Sequence, residues 1–176
     1  DLAKVDSEDP VLVLGAGPIG LLTGLVLRHR GIRRTTVCSR NPARAGRAAG
    51  LGLSTISIEE VPTSESPACV FECAGTPAAA QLGVQVLRPL GRLLLVGLSL
   101  APLDLAAPPI VIKELSVRGV IAYRRAQFQA ALDLLAAGAI PVDELITEVV
   151  PLAEAESAFQ SLTTRGTDKV KILLAP

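Results

Sequence analysis

Methionine and tryptophan are missing from the 176 residues, and histidine occurs once. A natural reading frame supplies an initiator methionine, so the expectation is a fragment, a processed chain or an engineered piece. An excess of one charge is missing too. Seventeen basic and seventeen acidic side chains cancel, which removes the broad electrostatic hold that nucleic acid or an anionic membrane would need. Thirteen of the basic residues are arginines, scattered among acids with no basic tract. The most apolar long window, 93–112, is broken by Asp104, Pro102, Pro108 and Pro109, so it is no membrane span. The opening residues show no charged-plus-apolar signal pattern.

Cysteine is scarce and unpaired in pattern. Cys38, Cys69 and Cys73 are odd in number and contain no C-x-x-C. On one strand, Cys69 and Cys73 would stand about 13 Å apart, too far for a disulfide or a shared metal ion. His29 falls in the last turn of a helix beside Arg28 and Arg30, where a cation complements the helix dipole, and Gly31 follows as a C′ residue. The expectation is a structural histidine, no metal site and no catalytic residue in this chain. A reduced, cytoplasmic setting follows.

What is present is aliphatic and punctuated by glycine. VLVLGAGPIGLL, residues 11–22, sets a continuous apolar run before Gly15, Gly17 and Gly20, then begins a helix at Ile19. Such a run suits a strand buried on both faces of a parallel sheet. The G-x-G-x-x-G spacing gives a tight turn, room for a pyrophosphate, and close helix–strand packing. The free N–H groups at the helix start then face the anion. Downstream, strands are expected at 35–38, 53–58, 68–73, 92–96, 115–123 and 170–174. Helices are expected from Asn41-Pro42 to about Gly50, from Thr76-Pro77 to about Arg88, at 126–137 and at 152–162. Residues 59–67 read as a loop, and a proline-rich connection runs through Pro109. Strands alternating with helices imply an α/β fold, a Rossmann-type, doubly wound parallel sheet in three layers. The expected division is a lead-in at 1–10, a dinucleotide-binding domain at 11–140, and a helix and strand at 141–176.

The ribose of a bound dinucleotide is usually read by an acid about 20 positions after the glycines, at the end of the second strand. Here that position is Ser39, followed by Arg40, with Arg44 one helical turn on. Losing the acid removes repulsion of a 2′-phosphate, and the guanidinium groups can grip one. The expected cofactor is therefore NADP, preferred over NAD. FAD normally needs the acid as well.

At this point the chain resembles the cofactor-binding, C-terminal half of medium-chain, zinc-type alcohol and polyol dehydrogenases. The resemblance rests on VLVLGAGPIGLL, FECAGTP (71–77), LRPLGRLLLVGL (87–98), KELSVRG (113–119), ALDLLAAGAIP (131–141), LITEVVPLAEAESAFQ (145–160) and KVKILL (169–174), in that order. It implies a pyrophosphate turn of Gly15, Gly17, Pro18, Ile19 and Gly20. It also implies that Cys73, Ala74, Gly75, Gly97 and Leu98 pass the cofactor at two strand ends. Val120 and Ala122 would offer backbone groups to the nicotinamide amide, and Lys171 would reach the pyrophosphate. Two features depart from the family. The 59–67 loop is shorter than its usual helical crossover, and Glu148 stands where many members carry histidine. The family's zinc- and substrate-binding barrel has no counterpart before Pro10, so zinc would belong to that other domain. The chain alone is expected to be inactive, serving a small-molecule alcohol or carbonyl substrate only in an intact enzyme. Segment 141–176 would return toward the missing domain. The alternatives are a non-catalytic redox-nucleotide module and the cofactor domain of a zinc-independent reductase. A homodimer through strand edge 115–123 is also expected.

Overall fold

The computed structural model describes residues 3–61, 65–164 and 166–176. Six parallel strands form one sheet in the order β3-β2-β1-β4-β5-β6. They are Val11–Leu14 (β1), Thr35–Cys38 (β2), Ser54–Ile56 (β3), Cys69–Glu72 (β4), Arg92–Leu95 (β5) and Ser116–Gly119 (β6). β1 is buried at every residue, as its unbroken apolar run requires in a sheet covered on both faces. The chain builds outward from β1 through β2 to β3, then crosses back and builds the other way from β4. The point of reversal, between β1 and β4, leaves an open crevice at the strands' C-terminal ends.

One face is covered by α1 (Pro18–His29), whose Leu21, Leu25 and Leu27 meet Val11, Val13 and Val37. α2 (Pro42–Gly50) adds Ala48 to the same cluster. The other face carries α3 (Pro77–Val86) and α4 (Ala107–Ile112), around Val70, Val84, Leu87 and Leu93. This is the three-layer α/β arrangement expected from the alternating elements. The helix starts follow local chemistry. Asn41 accepts the N–H groups of Ala43 and Arg44, and Thr76 that of Ala79. In both, proline then occupies the first turn, where its missing N–H loses nothing.

Four expectations need correction. The proline-rich connection contains α4, because Pro108 and Pro109 sit in its first turn and start the helix instead of preventing it. β6 ends at Gly119 and does not reach Tyr123: its neighbour β5 ends at Leu95, and Ala122 turns the backbone away with φ +53°. The last strand has a partner that the expected elements did not include. β8 (Ile172–Ala175) pairs in parallel with β7 (Glu148–Pro151), a strand not expected, in a separate two-stranded sheet. Between them α7 (Ala155–Thr163) follows a single 3-10 turn over Leu152–Glu154, so the α-helix starts three residues later than expected. Helices α5 (Arg125–Ala136) and α6 (Val142–Leu145) complete the chain. The loop expected at 59–67 includes 62–64, which lie outside the described residues; Val61 at its start is buried in the second cluster.

Candidate functional site

The strand ends at the sheet reversal interlock through backbone. Gly15 N–H donates to the Cys38 carbonyl at 2.8 Å, and Cys73 N–H to the Leu14 carbonyl at 2.8 Å. Val96 and Gly97 N–H both donate to the Glu72 carbonyl, at 2.9 and 2.7 Å. Gly15 has φ +107°, a conformation that favours glycine. A Cβ on Gly20 would stand 1.8 Å from the Gly15 carbonyl oxygen, so the third glycine is what lets α1 sit on the turn. Gly17 differs. It is the residue preceding α1, with φ −79° and ψ −177°, and a Cβ there meets nothing within 4 Å. That empty space faces a cleft of about 640 Å³.

The cleft gathers many of the expected site residues. Gly15, Gly17, Pro18, Ser39, Arg40, Arg44, Cys73 and Ala74 all line it. Gly20 lies beneath the turn, and Gly75, Gly97 and Leu98 pack on one another beside it: a Cβ on Gly97 would stand 2.3 Å from Gly75 N, and one on Gly75 2.9 Å from the Leu98 carbonyl oxygen. Ile19 and Val120 line a second, apolar groove of about 620 Å³ on the α1 face, with Leu22, Phe71 and Leu94. Ala122 and Lys171 are exposed and line neither cavity. Lys171 lies next to β8, and its carbonyl accepts from the Thr147 N–H and hydroxyl.

At the far end of the cleft, the Ser39 hydroxyl accepts the Asn41 N–H at 3.2 Å, and Arg40 is exposed. The Arg44 Nη2 donates to the Lys169 carbonyl at 3.2 Å, while its buried Nε has no hydrogen-bond partner. Asn41 Nδ2 donates to the Thr167 carbonyl at 2.9 Å, and Arg47 to that of Glu144 at 3.0 Å. The C-terminal segment is thus tied to α2 by side chains from the helix to its carbonyls. Neither the spacing of the glycines nor that of the arginines reveals this.

The residue that sequence reading passed over is Glu72, inside the FECAGTP block. It is 2% exposed, and its carboxylate accepts the N–H groups of Ala74 at 2.8 Å and Gly75 at 2.7 Å. Burial raises its pKa, and backbone N–H groups, first that of Gly75, oppose the shift. The available signal was an acid within an otherwise apolar buried strand, a placement that requires partners.

The three thiols are poor metal ligands and poor nucleophiles. Cys38 and Cys69 are buried, and Cys73 lies with its Sγ 4.0 Å from Thr23 Oγ1. Burial pushes Cys38 up to about 11 and both Cys69 and Cys73 up to about 12. For a thiol at about 12, the thiolate fraction at pH 8 is about one in ten thousand. At pH 8 the native protein is therefore expected to react slowly with a chromogenic disulfide reagent, faster as pH rises toward 11, and rapidly once denatured. A fast native thiol at pH 8 would overturn this. Among the described residues no group of three His, Cys, Asp or Glu side chains could hold a metal ion. The donor set present does not fit zinc. No helix among the described residues is long and apolar enough to cross a membrane.

A parallel sheet with its reversal crevice, a glycine turn at a helix start and an open cleft beyond it define a Rossmann-like α/β domain. Comparison with known proteins then places it. Residues 4–175 match the family described as glucose dehydrogenase C-terminus. The chain belongs to that family, the cofactor-binding half of zinc-type polyol and alcohol dehydrogenases. It is 31% identical to sorbitol dehydrogenase from Homo sapiens over 163 residues, covering 86% of this chain and 45% of that protein. Among solved structures it is similar to an alcohol dehydrogenase from Escherichia coli complexed with NADH, with a TM-score of 0.89 and 25% identity. That match covers 99% of this chain and 54% of the other. A dehydrogenase from Sinorhizobium meliloti, described as zinc-binding and bound to NADP, gives a TM-score of 0.88 at 25% identity, covering 100% and 55%. The chain spans about half the length of the curated relatives it matches.

Proposed function

We propose that the chain holds NADP(H), in preference to NAD(H), for hydride transfer between the nicotinamide and an alcohol, polyol or carbonyl substrate. The observation that carries this is the Gly17 position. It leaves unfilled space at the start of α1, where unpaired N–H groups and the helix dipole favour an anion. Gly15, Gly17, Pro18, Ile19 and Gly20 would hold the pyrophosphate, with Cys73, Ala74, Gly75, Gly97 and Leu98 along its path. Ser39, Arg40 and Arg44, which line the cleft, would meet the 2′-phosphate. Val120 and Ala122 would receive the nicotinamide amide and Lys171 the pyrophosphate. When bound, the cofactor supplies the hydride or accepts it. This chain's residues bind and orient it, and turnover is assigned to the intact dehydrogenase, where a zinc ion would have its own ligands in another domain.

Titration of the purified chain tests the reading: NADPH is expected to bind more tightly than NADH. Arg40→Ala is expected to cost NADPH binding roughly 1.5–3 kcal/mol, about ten- to a hundred-fold in Kd, and to leave NADH nearly unchanged. NADH bound as tightly as NADPH by the unaltered chain would refute the preference.

The same reading includes a two-fold homodimer through 115–123. β6 is the free edge of the sheet, and Val117, Ile121 and Tyr123 near it are 38%, 90% and 68% exposed. Ser116 and Val120 N–H donate inward, to Gly91 and Leu95 of the neighbouring strand region. By alternation, Val117 N–H points outward, so Val117→Pro removes an edge donor without breaking the internal ladder. Val120→Pro lacks that selectivity. Light scattering is expected to show dimers that Val117→Pro converts to monomers; an unaltered chain monomeric at high concentration would end the proposal.

A further inference from the structure

We propose that Glu72 is a positioning residue for the dinucleotide, its carboxylate fixing the turn between β4 and α3 that forms one wall of the cleft. The proposal rests on the cofactor-binding reading above and adds a residue to it. Glu72 closes β4 with its side chain directed back into protein, 2% exposed, among apolar neighbours. A buried carboxylate is costly unless hydrogen-bonded or paired. Its hydrogen-bond partners here are backbone: Oε1 alone accepts Ala74 N–H at 2.8 Å and Gly75 N–H at 2.7 Å.

Those two amides belong to the cleft wall. Ala74 lines the cleft directly, and its nitrogen lies 3.0 Å from where a Cβ on Gly15 would stand. The wall thus abuts the glycine turn with no slack. The main-chain oxygen of the same glutamate accepts Val96 and Gly97 N–H, which holds the end of β5. Glu72 Oε2 lies 3.0 Å from the position a Cβ on Gly97 would take. One residue therefore anchors two of the turns that face the site. An oxygen that only accepts is suited to two convergent donors; an apolar side chain of similar size fills the volume and leaves both N–H groups unpaired. Freed of that anchor, Ala74 can move into the cleft.

The test uses the full chain, with NADH and NADPH titrated by fluorescence, amide exchange followed at Ala74 and Gly75, and thermal melting by circular dichroism. Glu72→Leu is expected to weaken both nucleotides equally, roughly ten-fold or more, with both amides exchanging fast. Glu72→Gln keeps an oxygen acceptor and is expected to stay within about three-fold of the unaltered chain in binding. If Glu72→Leu does not fold, Glu72→Asp serves: it keeps the charge, shortens the reach, and is expected to weaken binding in folded protein. A merely structural glutamate would lower the melting temperature while leaving the dissociation constants of the folded protein unchanged; that result overturns the proposal. So does a Glu72→Gln variant that loses as much binding as Glu72→Leu. An unaltered chain that binds neither nucleotide overturns the cofactor reading itself, and the positioning role with it.

Discussion

Gly17→Val is expected to abolish binding of both NADPH and NADH, by about a hundred-fold or more, while the chain keeps its fold. The backbone at Gly17, φ −79° and ψ −177°, lies in a region valine adopts readily. A Cβ there touches nothing within 4 Å, so no protein atom has to move. The added methyl groups instead enter the space at the start of α1, where a pyrophosphate would have to approach the backbone. A loss of a hundred-fold corresponds to about 2.7 kcal/mol, less than the displacement of a pyrophosphate from its N–H donors should cost. Isothermal titration paired with a melting curve measures both halves. Retained affinity would show that the nucleotide does not lie on this turn. Lost affinity with lost secondary structure would show that the space at Gly17 is needed for folding.

Gly20→Ala is expected to produce the opposite pattern, a large loss of stability of roughly 3 kcal/mol or more. Its Cβ would stand 1.8 Å from the Gly15 carbonyl oxygen and 2.9 Å from the Gly15 carbonyl carbon. Both are backbone atoms of a turn pinned by Gly15 N–H to the Cys38 carbonyl, so no flexible side-chain end can yield. Relief requires moving α1 off the sheet, which exposes its own Leu21 and Leu25, both almost wholly buried. Overpacking of a yielding core site costs about 1–3 kcal/mol, and an unyielding backbone contact should reach the top of that range or exceed it. Gly46→Ala in α2 is the control. It has open space and ordinary φ, so it should stabilise by roughly 0.5–1 kcal/mol. Urea midpoints of the three proteins decide it. A Gly20→Ala variant as stable as the parent would mean that the helix can shift at no cost and that the glycine serves something else.

These two glycines are indistinguishable as letters in a motif, and their difference illustrates what was legible. The apolar run at 11–14, the Asn41-Pro42 and Thr76-Pro77 helix starts and the regular alternation of elements all depend on neighbours a few residues away. Period, propensity and capping therefore suffice to read them. The same holds for Ser39 and Arg40 at the end of β2, because strand length and turn length place them whatever else the fold does. α4 was hidden by its own prolines, which mark a helix start as readily as a loop. The end of β6 was hidden because a strand stops where its neighbour stops, and Leu95 is more than twenty residues earlier in the chain.

The sequence by itself determined the α/β layering, the parallel sheet, the glycine turn on the first helix and the absence of an acid at Ser39. Each is a local pattern whose physics is complete within one strand–turn–helix unit. Only the tertiary structure decided that Glu72 holds the cleft wall, that Gly17 faces open space while Gly20 meets backbone, and that Asn41, Arg44 and Arg47 bind the carbonyls of the C-terminal segment. Those facts depend on which backbone groups come within 3 Å of one another across long separations in the chain. Hydrogen bonding and steric exclusion change over a few tenths of an ångström, a precision that residue spacing alone does not contain.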